Sequence, residues 1–436
     1  MAIYIHIPFC KRRCVYCDFY FVTSSENTDR FVYAVIEEII SKKGLLTDEV
    51  KTIYFGGGTP SLLYADALSR ILNAVSQSFS LNSSLEITLE ANPEHITEPY
   101  LQDIKLVGIN RLSLGVQSFS DAKLSRLTRH HSAVDSITSV EKALCIIGNV
   151  NVDLMFGESS ETLNEWAMDV EQLINLSPPH VSTYGLTVEP KTPLERAIRL
   201  NKIPALNETV QAEAFLHAME KLEQAGYEHY EVSNFAKTKM NVSIQCESNR
   251  SLHNQHYWNR VPYLGFGPSA HSFLLCPNQK RFSNKRDLMA YIQNPINAYD
   301  FEEVLSSENV RNETIMLGLR QNKGINLDEL QEQYKPSVWG LDNANGGVQV
   351  QPPNAMSSVT NVQNQINNAQ KSPNYESYAN LALDYFPLMR DSLHTSINLG
   401  FFQLDGGLGT VWFDNQQYYE IALRPVFLHF GNLDLG

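Results

Sequence analysis

Hydrophobic positions in the first half of the chain follow two patterns in alternation. Short, nearly continuous apolar runs are typical of strands buried on both faces, and longer segments with apolar residues every three to four positions are typical of covering helices. The apolar runs lie at residues 3–7, 52–56, 85–91, 111–117, 151–156 and 180–186. The helical patterns lie at residues 29–43, 66–78, 98–107, 133–147, 161–176 and 208–225. Strand–helix units in this order predict an α/β fold with a parallel sheet.

Polar and glycine positions at the ends of these runs distinguish an open sheet from an incomplete barrel. Cysteines follow the first run, a glycine-rich turn follows the second, Glu90 and Gln117 close the third and fourth, and Asp153 lies in the fifth. A barrel collects its chemistry at the C-terminal ends of several strands at once. Any single carboxylate here could equally be a structural acceptor, but their convergence favours a partial (β/α)6 barrel with one active face.

Composition narrows the class of partner and the compartment. The chain has 436 residues and a formal net charge of -14, which argues against a nucleic-acid partner because phosphate neutralisation needs a basic face. Its start lacks the pattern of a signal peptide, and no run reaches the roughly 18 apolar residues of a transmembrane segment. We therefore expect a cytoplasmic protein without a transmembrane segment, in which thiols stay reduced.

The stretch CKRRCVYC places Cys10, Cys14 and Cys17 within eight residues, whereas Cys145, Cys246 and Cys276 are isolated. One interpretation is a structural zinc site with His6 or a distant residue as the fourth ligand, although such sites usually pair two cysteine knuckles. A disulfide fits a reducing compartment poorly. The third interpretation is a four-iron cluster bound through three of its irons, whose fourth iron binds S-adenosylmethionine. An electron from such a cluster would cleave a carbon–sulfur bond of that cofactor.

With Tyr16 before the third cysteine, this spacing resembles the signature of radical S-adenosylmethionine proteins. The stretches YFGGGTPS, LEITLEANPEHIT, GINRLSLGVQSF and NVDLMFGE resemble the oxygen-independent coproporphyrinogen oxidase-like family, and the resemblance extends over about residues 1–334. It implies a [4Fe-4S] cluster on the three cysteines. It also implies contacts to S-adenosyl-L-methionine from Tyr4, Tyr16, Gly57, Gly58, Thr59, Glu90, Gln117, Arg129 and Asp153. The chain departs from the family at residues 158–162, where ESSET replaces a Leu-Pro-Gly-Gln-Thr run.

Two branches of this family differ at readable positions. The coproporphyrinogen dehydrogenases have a fourth cysteine where this chain has Phe19, and the HemW-type haem chaperones have phenylalanine there and a later His-Asn-x-x-Tyr-Trp motif. The stretch HNQHYWN matches that motif and implies a haem site with His253, Tyr257 and Trp258. The competing candidate haem ligands are His256 and His271.

The resemblance therefore predicts a haem chaperone that transfers haem to an acceptor protein and uses an electron donor for its cluster. The alternative is an oxygen-independent coproporphyrinogen III oxidase. A zinc-stapled structural protein is the third class.

Changes of composition predict the domain organisation. Residues 1–230 should form the partial barrel, and residues 231–336 a family-specific region that begins a small C-terminal helical domain. Residues 337–373 are rich in Asn and Gln and predict a disordered linker. Residues 374–436 carry no motif that we recognise, and their aromatic runs around Asp405-Gly406-Gly407 predict a β-rich tail with a hairpin.

Overall fold

The computed structural model describes residues 1–237, 249–275, 278–326 and 329–330, and the backbone of two short strands at Gln403–Asp405 and Thr410–Trp412. The chain divides into two compact units, one formed mainly by Met1–Leu305 and the other beginning at Ser306. Among the described residues, no helix is long and apolar enough to cross a membrane.

Six parallel strands form the centre of the first unit, as the hydrophobic pattern predicts. They are β1 (Ala2–Ile7), β2 (Val50–Gly57), β3 (Leu81–Ala91), β4 (Arg111–Gln117), β5 (Val150–Phe156) and β6 (His180–Gly185), and they lie side by side in that order. Each pairs in parallel with the next. The sheet is not closed in the described part of the chain, because other strands pair with the outer edges of β1 and β6. The architecture is that of a partial barrel.

Shorter strands extend the sheet on both sides. They are β7 (Tyr227–Glu231), β8 (Asn234–Lys237), β9 (Tyr263–Phe266), β10 (His271–Leu274), β11 (Lys280–Asn284) and β12 (Tyr299–Val304). Strand β8 joins β6 in antiparallel fashion, and β9 joins β1 in parallel. The predicted boundary after residue 230 therefore falls inside the first unit, because the later strands all join the sheet of the barrel.

Helices follow the central strands and cover the outer face of the sheet, and two further helices, the last two named below, lie among the shorter strands. They are α1 (Thr28–Ser41), α2 (Ala65–Ser78), α3 (Glu98–Leu106), α4 (Asp121–Arg126), α5 (Ala133–Ile146), α6 (Leu163–Leu176), α7 (Pro193–Arg199), α8 (Glu208–Gln224), α9 (Leu252–Trp258) and α10 (Leu288–Gln293). Side-chain caps define several of the starts. Helix α5, for example, begins with a capping box in which Ser132 and Asp135 satisfy each other's backbone N–H groups.

The two faces of the central strands differ in chemistry. One face carries buried apolar side chains, such as Ile5, Phe55 and Phe156, and the Phe156 ring lies 5.2 Å from that of Trp166 on α6. The alternate positions carry polar groups that bond across the strands: His180 Nδ1 lies 2.6 Å from Asn151 Oδ1. Because side chains alternate along a strand, the helix-covered face is apolar and the interior of the barrel is polar.

The second unit is described only in part. It contains α11 (Ser307–Leu319) and an antiparallel hairpin of the two strands at 403–405 and 410–412, at the position where the sequence predicts one. The predicted linker at residues 337–373 and most of the predicted tail at residues 374–436 lie outside the described residues. The same is true of Cys246 and Cys276.

Candidate functional site

The loop that carries Cys10, Cys14 and Cys17 follows β1 and is held back against it. Cys10 N donates to Val22 O at 3.0 Å, and Val22 N donates to Pro8 O at 2.6 Å. All three cysteines are free thiols, and each is partly exposed. A separate cysteine, Cys145, is exposed on α5. The fold thus presents the three clustered thiols at the C-terminal end of the first strand, where a barrel concentrates its chemistry.

Neighbouring groups surround the thiols with polar partners. Cys10 Sγ lies 3.2 Å from Thr59 Oγ1, and Arg129 Nη1 donates to Cys14 Sγ at 3.6 Å. Burial raises the pKa of the Cys17 thiol to about 12, and burial also raises the pKa of Cys10. Binding iron must therefore displace protons from these thiols, as binding any thiolate-ligated metal does.

The thiol arrangement fits a multinuclear cluster better than a single zinc ion. No group of three Cys, His, Asp or Glu side chains in the described residues is arranged to hold one metal ion. His6, the possible fourth zinc ligand, has its Nε2 2.9 Å from Tyr20 O and its Nδ1 3.2 Å from Tyr4 Oη. A four-iron cluster places no such demand, because its cysteines bind different irons.

The glycine-rich turn after β2 lies directly against the cysteine loop. Gly57 has a φ of +106°, and a Cβ there would lie 2.6 Å from the ring of His6. A Cβ on Gly58 would lie 2.7 Å from Phe9 O, and Gly58 N donates to Ile7 O at 2.8 Å. Glycine is therefore required at both positions. At Gly57 the reasons are the positive φ and the close approach of the His6 ring, and at Gly58 the reason is the close approach of the Phe9 backbone.

Two carboxylates project into the polar interior of the barrel. Glu90 accepts hydrogen bonds from Tyr54 Oη at 2.7 Å and from Gly57 N at 3.2 Å. Burial is the main cause that raises the pKa of Glu90 to about 7, the charge of Asp153 adds to the rise, and the hydrogen bond from Tyr54 opposes it. Asp153 accepts from Asn151 Nδ2 at 2.7 Å and Ser113 Oγ at 3.1 Å, and burial raises its pKa as well.

Gln117 and Arg129 are two further predicted S-adenosylmethionine contacts near the C-terminal ends of the strands. Gln117 has a φ of +68°, and its buried Oε1 accepts no hydrogen bond from the described residues. Arg129 Nη2 donates to Asn92 Oδ1 at 2.7 Å and to Gly115 O at 2.9 Å. An orphaned acceptor on a strained residue is a feature that a bound ligand would explain.

Three residues that position this site were not predicted. Asn92 orients Arg129, Thr128 accepts a hydrogen bond from Val15 N at 3.1 Å, and Leu194 N donates to Val15 O at 2.9 Å. Tyr16 packs on the apolar cluster of Leu127, Leu186 and Leu194, and burial raises its pKa. Asn92 follows Glu90 by two positions, and this spacing is the sequence signal that could have identified it.

The loop after β5, where the sequence departs from the family at residues 158–162, contains carboxylates that form ion pairs with basic side chains of α4. Lys123 is fully buried and forms ion pairs with Glu161 and, at 3.0 Å, with Asp169. Glu161 stands where the family has glutamine, and its Oε2 accepts from Gly157 N at 2.5 Å. Glu158 pairs with Arg126 at 2.7 Å. The loop is thus held by charged groups rather than by the family's Pro-Gly run.

The His-Asn-x-x-Tyr-Trp motif forms α9, which packs at the other end of the central strands. His253 Nδ1 lies 2.8 Å from Thr52 Oγ1, its Nε2 lies 2.9 Å from Tyr257 Oη, and the residue is 1% exposed. Thr52 lies near the start of β2, whereas Gly57 ends it. In this conformation neither ring nitrogen of His253 is available to an iron, so ligation would require these hydrogen bonds to be exchanged.

The other motif residues and candidate ligands are also engaged. The Tyr257 ring packs edge-on against those of His253, at 4.9 Å, and Tyr263, at 4.7 Å. His256 is 7% exposed and its Nδ1 lies 3.2 Å from Thr52 Oγ1. Trp258 ends α9, and His271 begins β10 and is partly buried. The structure therefore brings the cysteine, glycine, Glu90, Gln117 and Arg129 positions together at one end and places the predicted haem motif at the other.

Comparison with known proteins places this geometry among related chains. Residues 4–173 match the model of the Radical SAM superfamily, and residues 305–352 match that of the HemN C-terminal domain. The chain is 35% identical over 348 residues to the haem chaperone HemW of Bacillus subtilis, covering 78% of this chain and 88% of that protein. It is 35% identical to the haem chaperone HemW of Synechocystis, covering 76% and 80% of the two chains.

Two further relatives extend the comparison. One is a mouse protein named "Radical S-adenosyl methionine domain-containing protein 1, mitochondrial". It is 36% identical to this chain over a segment that covers 62% of this chain and 60% of the mouse protein. The solved structure of coproporphyrinogen III oxidase (HemN) from Escherichia coli superposes with a TM-score of 0.66, covering 77% of this chain and 78% of that one. At 22% sequence identity, that likeness shows a shared fold.

Proposed function

Because this chain belongs to the family of the haem chaperone HemW, within the radical S-adenosylmethionine superfamily, we propose that it binds haem and transfers it to an acceptor protein. The observation that carries the proposal is the 35% identity to one such chaperone over 88% of that protein's length. Phe19 supports it, because this 55%-exposed side chain stands where the dehydrogenases have a cysteine. The chain would hold a [4Fe-4S] cluster and S-adenosylmethionine as its cofactors.

Cys10, Cys14 and Cys17 are the proposed cluster ligands, and the cluster when bound supplies single electrons. Arg129 is charged and lies partly buried beside Cys14, so it can bind a carboxylate group of S-adenosylmethionine. Glu90 and Asp153 can accept hydrogen bonds from ribose hydroxyls or from the cationic amine. Gln117 Oε1 offers an acceptor that has no partner in the described residues.

The proposed haem site is the motif on α9, and its closed geometry implies a conformational step. His253 is 1% exposed and both of its ring nitrogens are hydrogen-bonded, so haem must meet a form in which α9 has moved. A binding-competent form that is only fractionally populated lowers the apparent affinity by that fraction. We therefore expect haem binding that is slower than simple diffusion-controlled association.

The second candidate function is oxygen-independent oxidation of coproporphyrinogen III, and the fold shared with HemN favours it. The same anaerobically reconstituted sample tests both functions. Haem titration should saturate at one haem per chain, while incubation with coproporphyrinogen, S-adenosylmethionine and reductant should leave the substrate unconverted. Catalytic formation of protoporphyrinogen, or the absence of saturable haem binding, would overturn the chaperone assignment.

A further inference from the structure

The cysteine loop carries a run of exposed positive charge on its outer side. Lys11, Arg12 and Arg13 lie between the first two cysteines, and all three are exposed. His130 is exposed beside them, and it is the one exposed histidine among the ten that the structure describes. We call Lys11, Arg12 and Arg13 the cationic rim. It contrasts with a chain whose formal net charge is -14.

A cleft of about 430 Å³ connects this rim to a cluster ligand. Among the residues that line it are Arg12, Arg13, Asp121, Arg129, His130 and His131. Arg129 is the link, because its Nη1 lies 3.6 Å from Cys14 Sγ. Arg129 therefore lines the cleft and also contacts a proposed cluster ligand.

The anionic groups near the cleft are already engaged. Asp121 Oδ1 accepts a hydrogen bond from Ala133 N at 2.7 Å, and Glu94 pairs with His131 at 3.3 Å. Among the residues that the structure describes, Arg13 makes only long contacts, at 3.5 Å, to the carbonyls of Cys17 and Lys191. The lining of the cleft carries the guanidinium groups of Arg12, Arg13 and Arg129 against the carboxylate of Asp121, so it is positively charged overall.

We propose that the cationic rim is the docking surface for an acidic protein that carries single electrons. This inference rests on the proposed function only in that the chain holds a cluster on its three cysteines. The electron transfer needs no further reactant: the donor loses one electron, the cluster gains one, no bond forms or breaks, and no proton is transferred. Opposite charges on the two surfaces steer association and set a salt-dependent rate.

Charge reversal on the rim tests the proposal in the full-length chain. The variant is K11E/R12E, and the matched control is K43E/K221E, which makes the same charge change at two exposed lysines elsewhere, one in the turn after α1 and one on α8. The donor probe is reduced flavodoxin, an acidic flavin protein. Its association is measured from flavin fluorescence with the cluster-free chain, and cluster reduction is followed by stopped-flow absorbance with the reconstituted chain.

We expect K11E/R12E to slow flavodoxin-driven reduction by about tenfold or more at 50 mM salt, with a parallel loss of association. The difference in reduction rate between K11E/R12E and wild type should become smaller at 300 mM salt, since screening weakens attraction between exposed charges. Reduction by the uncharged radical of a photoreduced deazaflavin should be equal in both variants and wild type. Wild-type association and reduction rates in K11E/R12E would overturn the proposal.

Haem titration of the same variants separates this inference from the proposed function. If K11E/R12E loses haem affinity but keeps flavodoxin association, the rim binds the propionates of haem, and the electron-docking proposal is rejected. Failure to assemble a cluster or bind haem in the wild type would instead contradict the proposed function. The association arm with the cluster-free chain still tests the docking surface in that case.

Discussion

The ring of Tyr54 stacks on the imidazole of His253, with centroids 4.9 Å apart and planes inclined by 27°, while its hydroxyl donates to Glu90 Oε1 at 2.7 Å. One side chain on β2 therefore touches both the predicted haem motif and a predicted S-adenosylmethionine contact. Its own pKa is raised well above the usual value, first by burial and then by the charge of Glu90. Tyr54 therefore lies between the two predicted sites and contacts a residue of each.

The first prediction concerns the cluster ligands. Replacing Cys10, Cys14 or Cys17 singly by alanine should abolish the iron–sulfur chromophore, because two thiolates hold a four-iron cluster poorly. Iron and sulfide content and the visible absorbance measure this after anaerobic reconstitution. Cys145→Ala is the matched control, since its thiol is exposed on a helix away from the loop. A full cluster in the triple variant would refute the assignment.

The second prediction concerns the pH dependence of stability at Glu90. The pKa of its carboxyl rises from 4.5 to about 7 in the folded chain, first through burial, so the native state binds more protons than the unfolded state between these values. Its contribution to stability is therefore present below pH 4.5 and is lost as pH rises to 7. Denaturation of wild type and Glu90→Gln at pH 5 and pH 8 checks this.

The free energy of unfolding of wild type, relative to Glu90→Gln, should fall by about 2 kcal/mol between the two pH values. Asp153 is present in both chains, so its own titration largely cancels in the comparison. Parallel pH profiles for the two chains would show that Glu90 titrates normally in the folded state.

The third prediction concerns the buried charges behind the β5–α6 loop. Lys123→Met leaves Glu161 and Asp169 buried without their cation and should lower the free energy of unfolding by about 3–5 kcal/mol. Arg199→Met is the control, because it breaks an exposed pair with Glu195 and should cost less than about 1 kcal/mol. Urea denaturation measures both. An equal loss of unfolding free energy in the two variants would show that the buried ion pairs of Lys123 matter no more for stability than an exposed pair.

The fourth prediction concerns the closed haem motif. Tyr257→Phe removes the hydroxyl that lies 2.9 Å from His253 Nε2, so it should free that nitrogen and speed haem binding in a stopped-flow experiment. His253→Ala should instead remove the absorption band of an imidazole-ligated iron. Trp258→Ala should weaken haem binding mildly, by about 0.5–1.5 kcal/mol of lost stacking.

Two controls sharpen the haem experiment. His271→Ala and His256→Ala should leave the haem spectrum unchanged if His253 is the ligand. A wild-type spectrum in His253→Ala would reject this residue, and a spectral change confined to His271→Ala would move the ligand to β10 without changing the proposed function.

The local order of the sequence determined the central strands and the helices between them. The spacing of Cys10, Cys14 and Cys17 and the glycines after β2 pointed to the cluster end of the barrel, because strand ends in a parallel sheet converge on one edge. Period-two and period-3.6 patterns are local properties, and the residues that carry them lie close together in the chain. The predicted cysteine and S-adenosylmethionine residues nevertheless remain predictions until a cofactor is measured.

Only the tertiary structure decided which side chains already have a hydrogen-bond or ion-pair partner and which are free to bind a ligand. The motif letters around His253 cannot reveal that Thr52, about two hundred positions earlier, occupies one of its ring nitrogens. Nor could they show that β9–β12 rejoin the sheet beside β1, or that Lys123 is neutralised by Glu161 across 38 positions. Burial and hydrogen-bond saturation depend on contacts between distant segments, and a sequence pattern records only the near neighbours of each residue.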